Sequence, residues 1–307
     1  MNKIIKYWQL CIMAVLSVAF TACTEEYEYD PTTDTTGYGA YMDASTQTSI
    51  ILKEDDPQQL SFTVLRHDTT SAATYKLYTD YEDIDIPESV SFNAGEKSKT
   101  ITATFNVPSG TVQKQVVIGI AGEDAYTYGA NSLTFIISRL KKVSGAMFYE
   151  SGLFFQRATW EVSVYENGFT RNADGTTSAS YLIVEPYANE EIATAIGLTE
   201  NDTKGYNLEF SLSNDGKATL KSGSSLFYIT ANVTGDPSIV GDAIPSGDGT
   251  YYKDETQLSS GDTFSNFVLF PWNIAIGKTG YGFTSVSLEA VIFPEGYDPL
   301  TQTQITE

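Results

Sequence analysis

The chain has 307 residues, with 39 acidic side chains against 18 basic ones, a single histidine and a net charge of −21 at pH 7. So acidic a surface repels polyanions, which excludes nucleic acid as a partner and leaves neutral sugars, cations and basic proteins. At roughly 100 to 200 residues per domain the length suits two domains, and an aromatic content of 13% with many Thr, Ser and Gly suits strands and turns.

Lys3 and Lys6 form a short basic start, and residues 10–20 are an apolar run too short to span a bilayer. The run ends in Ala19-Phe20-Thr21-Ala22-Cys23. This resembles the lipobox of bacterial lipoproteins, which implies that residues 1–22 are a signal peptide and that Cys23 carries lipid. Each buried methylene of such a lipid contributes about 0.8 kcal/mol, so several acyl chains give a stable anchor. Thr24-Glu25-Glu26-Tyr27-Glu28-Tyr29-Asp30 resembles the export signal of Bacteroidota lipoproteins. The location it implies is the outer membrane, lipid-anchored and facing the cell exterior. Cys11 leaves with the signal and Cys23 is acylated, so no disulfide joins the mature chain. Residues 23–47, rich in acids and threonine, read as a tether.

From residue 48 to 140 the apolar residues alternate. Leu60, Phe62 and Val64 do so, then Tyr75 and Leu77, Val90 and Phe92, Ile101 to Val107, Val116 to Ile120, and Leu133 to Ile137. With the short apolar run Ile50-Ile51-Leu52 before them, these make seven short strands, and their period-two alternation predicts an immunoglobulin-like β-sandwich. Within it, Leu60-Ser61-Phe62-Thr63-Val64-Leu65-Arg66 and the run from Ser89 through Asn93-Ala94-Gly95-Glu96 to Thr102 resemble the strand and turn motifs of Calx-beta domains. Some members of that family hold calcium with acids at one end of the sandwich. The resemblance places Glu54, Asp55 and Asp56 where the first ligands stand. Pro108-Ser109-Gly110-Thr111 replaces the later acids, which argues against a complete site.

Residues 143–296 read as a second antiparallel β-domain, followed by a tail at 297–307. Trp160, Val162 and Val164 share one face of a strand, 181–184 is a central strand, and Leu208, Phe210 and Leu212 lead into the hairpin signal Asn214-Asp215-Gly216. Val286, Leu288, Ala290 and Ile292 form the last strand. The one helix expected runs from Asn189 to Gly197, with an Asn cap, glutamates in its first turn and a terminating glycine. The predicted class is therefore all-β, with at most one short helix. The opening aromatic strands and the Glu185-Pro186-Tyr187 element resemble the C-terminal β-domains of Bacteroidota surface lipoproteins.

No catalytic signature is present. The lone His67 reads as a surface turn residue, there is no G-x-S-x-G elbow, and zinc would need more His or Cys ligands than the mature chain has. No cofactor is expected. Asn172, Asp174 and Gly175 mimic part of a calcium loop but lack the distal glutamate, and a hairpin turn is the simpler reading. Glycoside hydrolysis needs only two carboxylates, and no motif singles out a pair.

Exposed aromatic rings grip the flat C–H face of a sugar. Trp272, beside Pro271, is expected at a strand end, Tyr251 and Tyr252 in a Gly- and Asp-rich loop, and Tyr281 between two glycines. These four are the candidate ligand-binding residues. The expected function is a non-catalytic surface lipoprotein that binds polysaccharide for nutrient acquisition. The alternative is a structural or adhesive module that contacts other surface proteins, and a two-carboxylate hydrolase is the third.

Overall fold

The computed structural model describes residues 39–152, 157–277, 279–283 and 285–305. The signal peptide, Cys23 and the tether up to residue 38 lie outside the described residues. The first half contains β1 (Ala40–Met42), β2 (Ser49–Leu52), β3 (Gln59–Arg66), β4 (Ala73–Thr79), β5 (Ile84–Asp85), β6 (Ser89–Phe92), β7 (Ser98–Phe105), β8 (Thr111–Ile120) and β9 (Ser132–Arg139). They form two sheets, in the orders β1-β3-β7-β5 and β2-β9-β8-β4-β6. All pairings are antiparallel except β2 with β9. The alternating residues Leu60, Phe62, Val64, Val90, Phe92, Phe105, Ile118 and Phe135 form one core between the sheets. The fold class is all-β, as the sequence predicts.

The two motifs that carry the family resemblance meet at one side chain. Arg66 is buried, and its guanidinium donates to the carbonyls of Asn93 (2.5 Å), Glu96 (2.6 Å) and Ser71 (2.7 Å). It also lies 5.1 Å from the centre of the Phe92 ring. The turn it clamps is closed by Glu96 itself, whose carboxylate accepts from the Asn93 N–H (2.7 Å), and Gly95 supplies the positive φ of 82°.

The second half adds β10 (Lys141–Val143), β11 (Met147–Glu150), β12 (Ala158–Glu161), β13 (Ser163–Arg171), β14 (Thr177–Val184), β15 (Asn207–Ser213), β16 (Lys217–Leu220), β17 (Tyr228–Ile229), β18 (Gly241–Ser246), β19 (Gly249–Tyr252), β20 (Thr256–Gln257), β21 (Thr263–Phe264), β22 (Phe267–Ile276), β23 (Tyr281–Gly282), β24 (Ser287–Ile292), β25 (Tyr297–Asp298) and β26 (Thr303–Gln304). The main path of its large sheet is β10-β13-β14-β15-β16-β19-β22-β24-β11-β12. The strands β12 and β13 stand near opposite ends of that path, yet only Val162 separates them in the chain. Two Cα steps span at most about 7.6 Å, so the sheet is rolled upon itself around one large core, with a smaller cluster of Tyr149, Leu258, Phe267 and Ala290 beside it. That core is rich in rings, with Phe148, Trp160, Tyr181, Tyr187, Phe210, Phe270 and Trp272 all buried.

Three short helices lie among the described residues rather than the one expected. The expected one, α1 (Glu190–Ala195), is capped as read: the Asn189 side chain accepts from the Ile192 N–H, and Gly197 (φ 78°) ends it. The others, α2 (Glu200–Thr203) and α3 (Ala231–Thr234), are single turns, too short to print a 3.6-residue period in the sequence. The Asn214-Asp215-Gly216 turn joins β15 to β16, with Gly216 at φ 82°. Asn172 to Gly175 is a hairpin turn whose Asp174 carboxylate accepts from Thr176 (2.9 Å).

Both ends of the described chain are woven into the fold. Ala40–Met42, inside the stretch read as tether, pairs with β3. Tyr297, at the start of the stretch read as a tail, is buried, and its hydroxyl donates to Glu166 Oε1 (3.1 Å). Glu54 Oε2 accepts from the Lys142 N–H (2.8 Å), and Asp56 Oδ2 accepts from the Lys53 N–H (2.8 Å). These two carboxylates cap backbone at the junction of the two halves and at a turn. No group of three or more metal-binding side chains converges among the described residues.

Candidate functional site

The strand β22 positions most of the predicted aromatic site, and its alternation decides which rings are reachable. Phe270, Trp272, Ile274 and Ile276 point into the core, while Pro271, Asn273 and Ala275 face outward. Trp272 is therefore wholly buried, and its indole packs 5.0 Å from Phe270. This corrects the expected exposure. Pro271 signals an edge because it cannot donate to a ladder. Here it stands where the neighbouring strand changes, after β19 pairs with 267–269 and before β18 pairs with 273–276. Trp272→Phe should lower stability by about 1–2 kcal/mol through lost volume and leave sugar binding unchanged. Urea unfolding and affinity electrophoresis of the same variant check both halves of that expectation.

The other three predicted residues separate. Tyr251 and Tyr252 are consecutive in β19, so they face opposite sides of the sheet. Tyr252 stacks on Phe267 (5.1 Å, 16°), and Tyr251 packs against the main core. Tyr281 is exposed and pairs with Ile276, whereas Tyr251 pairs with Val268. Eight residues at about 3.3 Å each put roughly 26 Å of strand between those two pairings. The four residues do not form one face.

Tyr251 does line a cleft of ≈340 Å³, together with Lys253, Ser265, Asn266, Glu295, Asp298 and Ile305. Asn266 organises it. Its backbone has a φ of 54°, a region non-glycine residues rarely occupy. Its Oδ1 accepts from the Tyr251 hydroxyl (2.8 Å), and its Nδ2 donates to the carbonyls of Pro294 (3.0 Å) and Tyr297 (2.8 Å). One amide thus fixes the ring on one wall and the β25–β26 hairpin on the other. Burial, with help from the charges of Asp298 and Asp254, pushes the Tyr251 hydroxyl up to about 12. It is a neutral donor at any physiological pH. A larger depression of ≈570 Å³ lies by α1 and α2, but it is lined by acids, Ala and Thr residues, Leu198 and Lys204, without an aromatic wall.

Sequence reasoning missed a pair of buried carboxyls. Glu150 in β11 and Glu289 in β24 are directly opposed across the ladder, and both are fully buried. The Ser287 hydroxyl donates to Glu289 Oε1, and the Gly152 N–H donates to Glu150 Oε1 (3.2 Å). Burial above all, and the charge of Glu150, raise Glu289 from 4.5 to about 8. Burial and both glutamates push the Tyr187 hydroxyl well above its usual range. Acids that hydrolyse a glycoside must flank a bound sugar. These two are sealed in the core, so the pair holds a proton where no sugar reaches it. No local signal could reveal it, because the two acids lie in distant strands.

No family model matches the chain, and no protein with a curated description matches it. The resemblance to Calx-beta domains therefore rests on the two motifs joined by Arg66. Among solved structures, three Bacteroides ovatus proteins are similar. One, of unknown function, is 12% identical over 83% of this chain and 92% of its own, with a TM-score of 0.26. A multidomain protein including DUF1735 is 12% identical over 82% and 93%, with a TM-score of 0.28. A further protein of unknown function is 9% identical over 85% and 92%, with a TM-score of 0.32.

Proposed function

We propose that this chain is a non-catalytic, lipid-anchored protein of the outer cell surface that binds neutral glycans in the Tyr251–Asn266 cleft. The observation that carries the reading is the cleft's construction. A half-buried tyrosine ring is held by an amide, with Lys253, Ser265, Glu295 and Asp298 on the rim. A sugar has the matching character, with an apolar ring face and hydroxyls at its edge. The strongly acidic chain disfavours anionic polysaccharide. The lipobox at Cys23 and the acidic run after it support the surface location.

The test is native affinity electrophoresis of the mature chain in gels containing neutral polysaccharides. Tyr251→Ala should weaken binding by about three- to tenfold, since an aromatic contact is worth about 0.5–1.5 kcal/mol. Lys253→Ala, at an exposed rim position, should weaken it less and leave the fold intact. Equal mobility of wild type and Tyr251→Ala on every retarding polysaccharide would remove the cleft from the account.

The second reading, a protein-contacting module, is favoured by one feature. Ile51 and Ile136 are exposed on the outer face of the β2–β9 pair. Pull-down with Ile51→Asp alongside wild type tests it, and equal recovery of partners counts against it.

A further inference from the structure

A second aromatic surface lies in the first sandwich, on residues outside the predicted site. The rings of Tyr41, in β1, and of His67, just after β3, each lie 5.7 Å from Tyr126. Tyr128 stands edge-on to Tyr126 at 5.8 Å and 70°. Tyr128 is 83% exposed, the highest value for any large apolar or aromatic side chain among the described residues.

The loop that carries Tyr126 and Tyr128 is pinned to the sandwich. Ala40 N donates to Asp124 O (2.9 Å), Tyr126 N to Ala40 O (2.7 Å), and Met42 N to Ala130 O (2.7 Å). Asp124 Oδ2 accepts from the Lys76 N–H (2.7 Å) on the far side. Two glycines make the arrangement possible. A Cβ on Gly129 would lie 2.4 Å from Tyr41 Cβ, and one on Gly39 would lie 2.4 Å from the Ala125 carbonyl carbon. The loop backbone and the Tyr41–Tyr126 ring pair are thus held in place before any ligand arrives, which lowers the ordering cost of binding.

We infer that Tyr41, Tyr126 and Tyr128 form a second contact surface for a neutral saccharide, separate from the Tyr251 cleft. The chemistry selects the ligand. One exposed ring, Tyr128, and two half-buried ones, Tyr41 and Tyr126, offer apolar faces and hydroxyl edges, which match a sugar ring. The same segments also carry Asp43, Asp68, Thr70 and Thr127, polar groups that suit a hydroxylated ligand and, through the two aspartates, repel an anionic one. The inference shares its ligand class with the proposed function, and its site is independent of the cleft. Two contact surfaces on one chain would raise avidity for a long polysaccharide over a short oligosaccharide.

The experiment uses the whole chain in affinity gels containing amylopectin, galactomannan, xyloglucan or mixed-linkage β-glucan. It compares wild type, Tyr128→Ala, Tyr251→Ala and the double variant. Tyr128 is so exposed that its replacement should leave the melting temperature unchanged. The inference expects Tyr128→Ala to weaken retention about three- to tenfold, and the double variant to bind more weakly than either single one. Retention that survives Tyr251→Ala and is lost with Tyr128→Ala supports this surface and removes the cleft. Retention unchanged by Tyr128→Ala and lost with Tyr251→Ala overturns this surface and keeps the cleft. Wild type that is retarded by none of the four polysaccharides overturns both.

Discussion

Glu289→Gln is expected to remove most of the stability loss that the wild-type chain undergoes as pH rises from about 4.5 to about 8. The sign follows from proton binding. In the unfolded chain Glu289 titrates near its ordinary value of 4.5, whereas burial and Glu150 hold it protonated up to about 8 in the folded protein. Between those values the native state binds more protons than the unfolded one, so stability is greatest at low pH and falls as pH rises. At 1.36 kcal/mol per pKa unit the total reaches about 5 kcal/mol, an upper bound that local relaxation reduces. The glutamine keeps the shape and cannot ionise, so its unfolding midpoint should stay flat across this window for this group's contribution. Glu150→Gln should act in the same direction by removing the neighbouring charge. Urea unfolding at pH 5, 6.5 and 8 checks the expectation. Parallel pH profiles for wild type and Glu289→Gln would contradict it.

Arg66→Met should destabilise the first sandwich by about 3–5 kcal/mol, because the variant removes three charge-assisted hydrogen bonds and leaves their carbonyls without that donor. Methionine keeps much of the side-chain volume, so the loss reports the hydrogen bonds more than a cavity. Arg66→Lys restores the charge but not the planar fork, and should recover only part of the loss. Hydrogen exchange should quicken first at the Asn93–Glu96 turn and along β6. Tryptophan fluorescence is a useful control, since Trp160 and Trp272 both lie in the second core. A fluorescence transition unmoved in Arg66→Met, beside an earlier loss of far-UV signal, would show that the damage is confined to the first half. A shift below about 0.5 kcal/mol, the size of an ordinary surface substitution, would show that the clamp is unimportant.

The strands of the first sandwich were legible because each has one buried face, so Leu60, Phe62 and Val64 print a clean alternation. The last strand hides its inward face for the opposite reason. The sequence favours Val286, Leu288, Ala290 and Ile292 as the inward set. Yet the face opposed to Phe148, Glu150, Phe270 and Trp272 carries Ser287, Glu289 and Val291. A glutamate on a core face defeats any reading based on hydrophobicity, and Ala290 is buried as well because it packs in a second, smaller cluster with Tyr149 and Phe267. Arg66 was visible as a motif residue, but its role appears only when folding brings Ser71, Asn93 and Glu96 around it. Of the predicted sugar-binding residues, Tyr251 lines a cleft and Trp272 does not reach the surface. The difference lies in strand phase: Trp272 shares the inward side of β22 with Phe270 and Ile274, and the outward Pro271 marks a change of partner strand inside the sheet instead of the edge that a proline signals. The Tyr41–Tyr126–Tyr128 group was hidden because its members come from two separate segments, and a pinned loop unites them.

The central claim is that the Tyr251–Asn266 cleft holds a neutral sugar. The most direct measurement is hydrogen–deuterium exchange on the mature chain, with and without oligosaccharides cut from a polysaccharide that retards it. The account predicts slower exchange in residues 250–253, 265–266 and 293–298, which form the cleft's two walls. Slowing confined to other segments, or no slowing with any of the oligosaccharides, would contradict it.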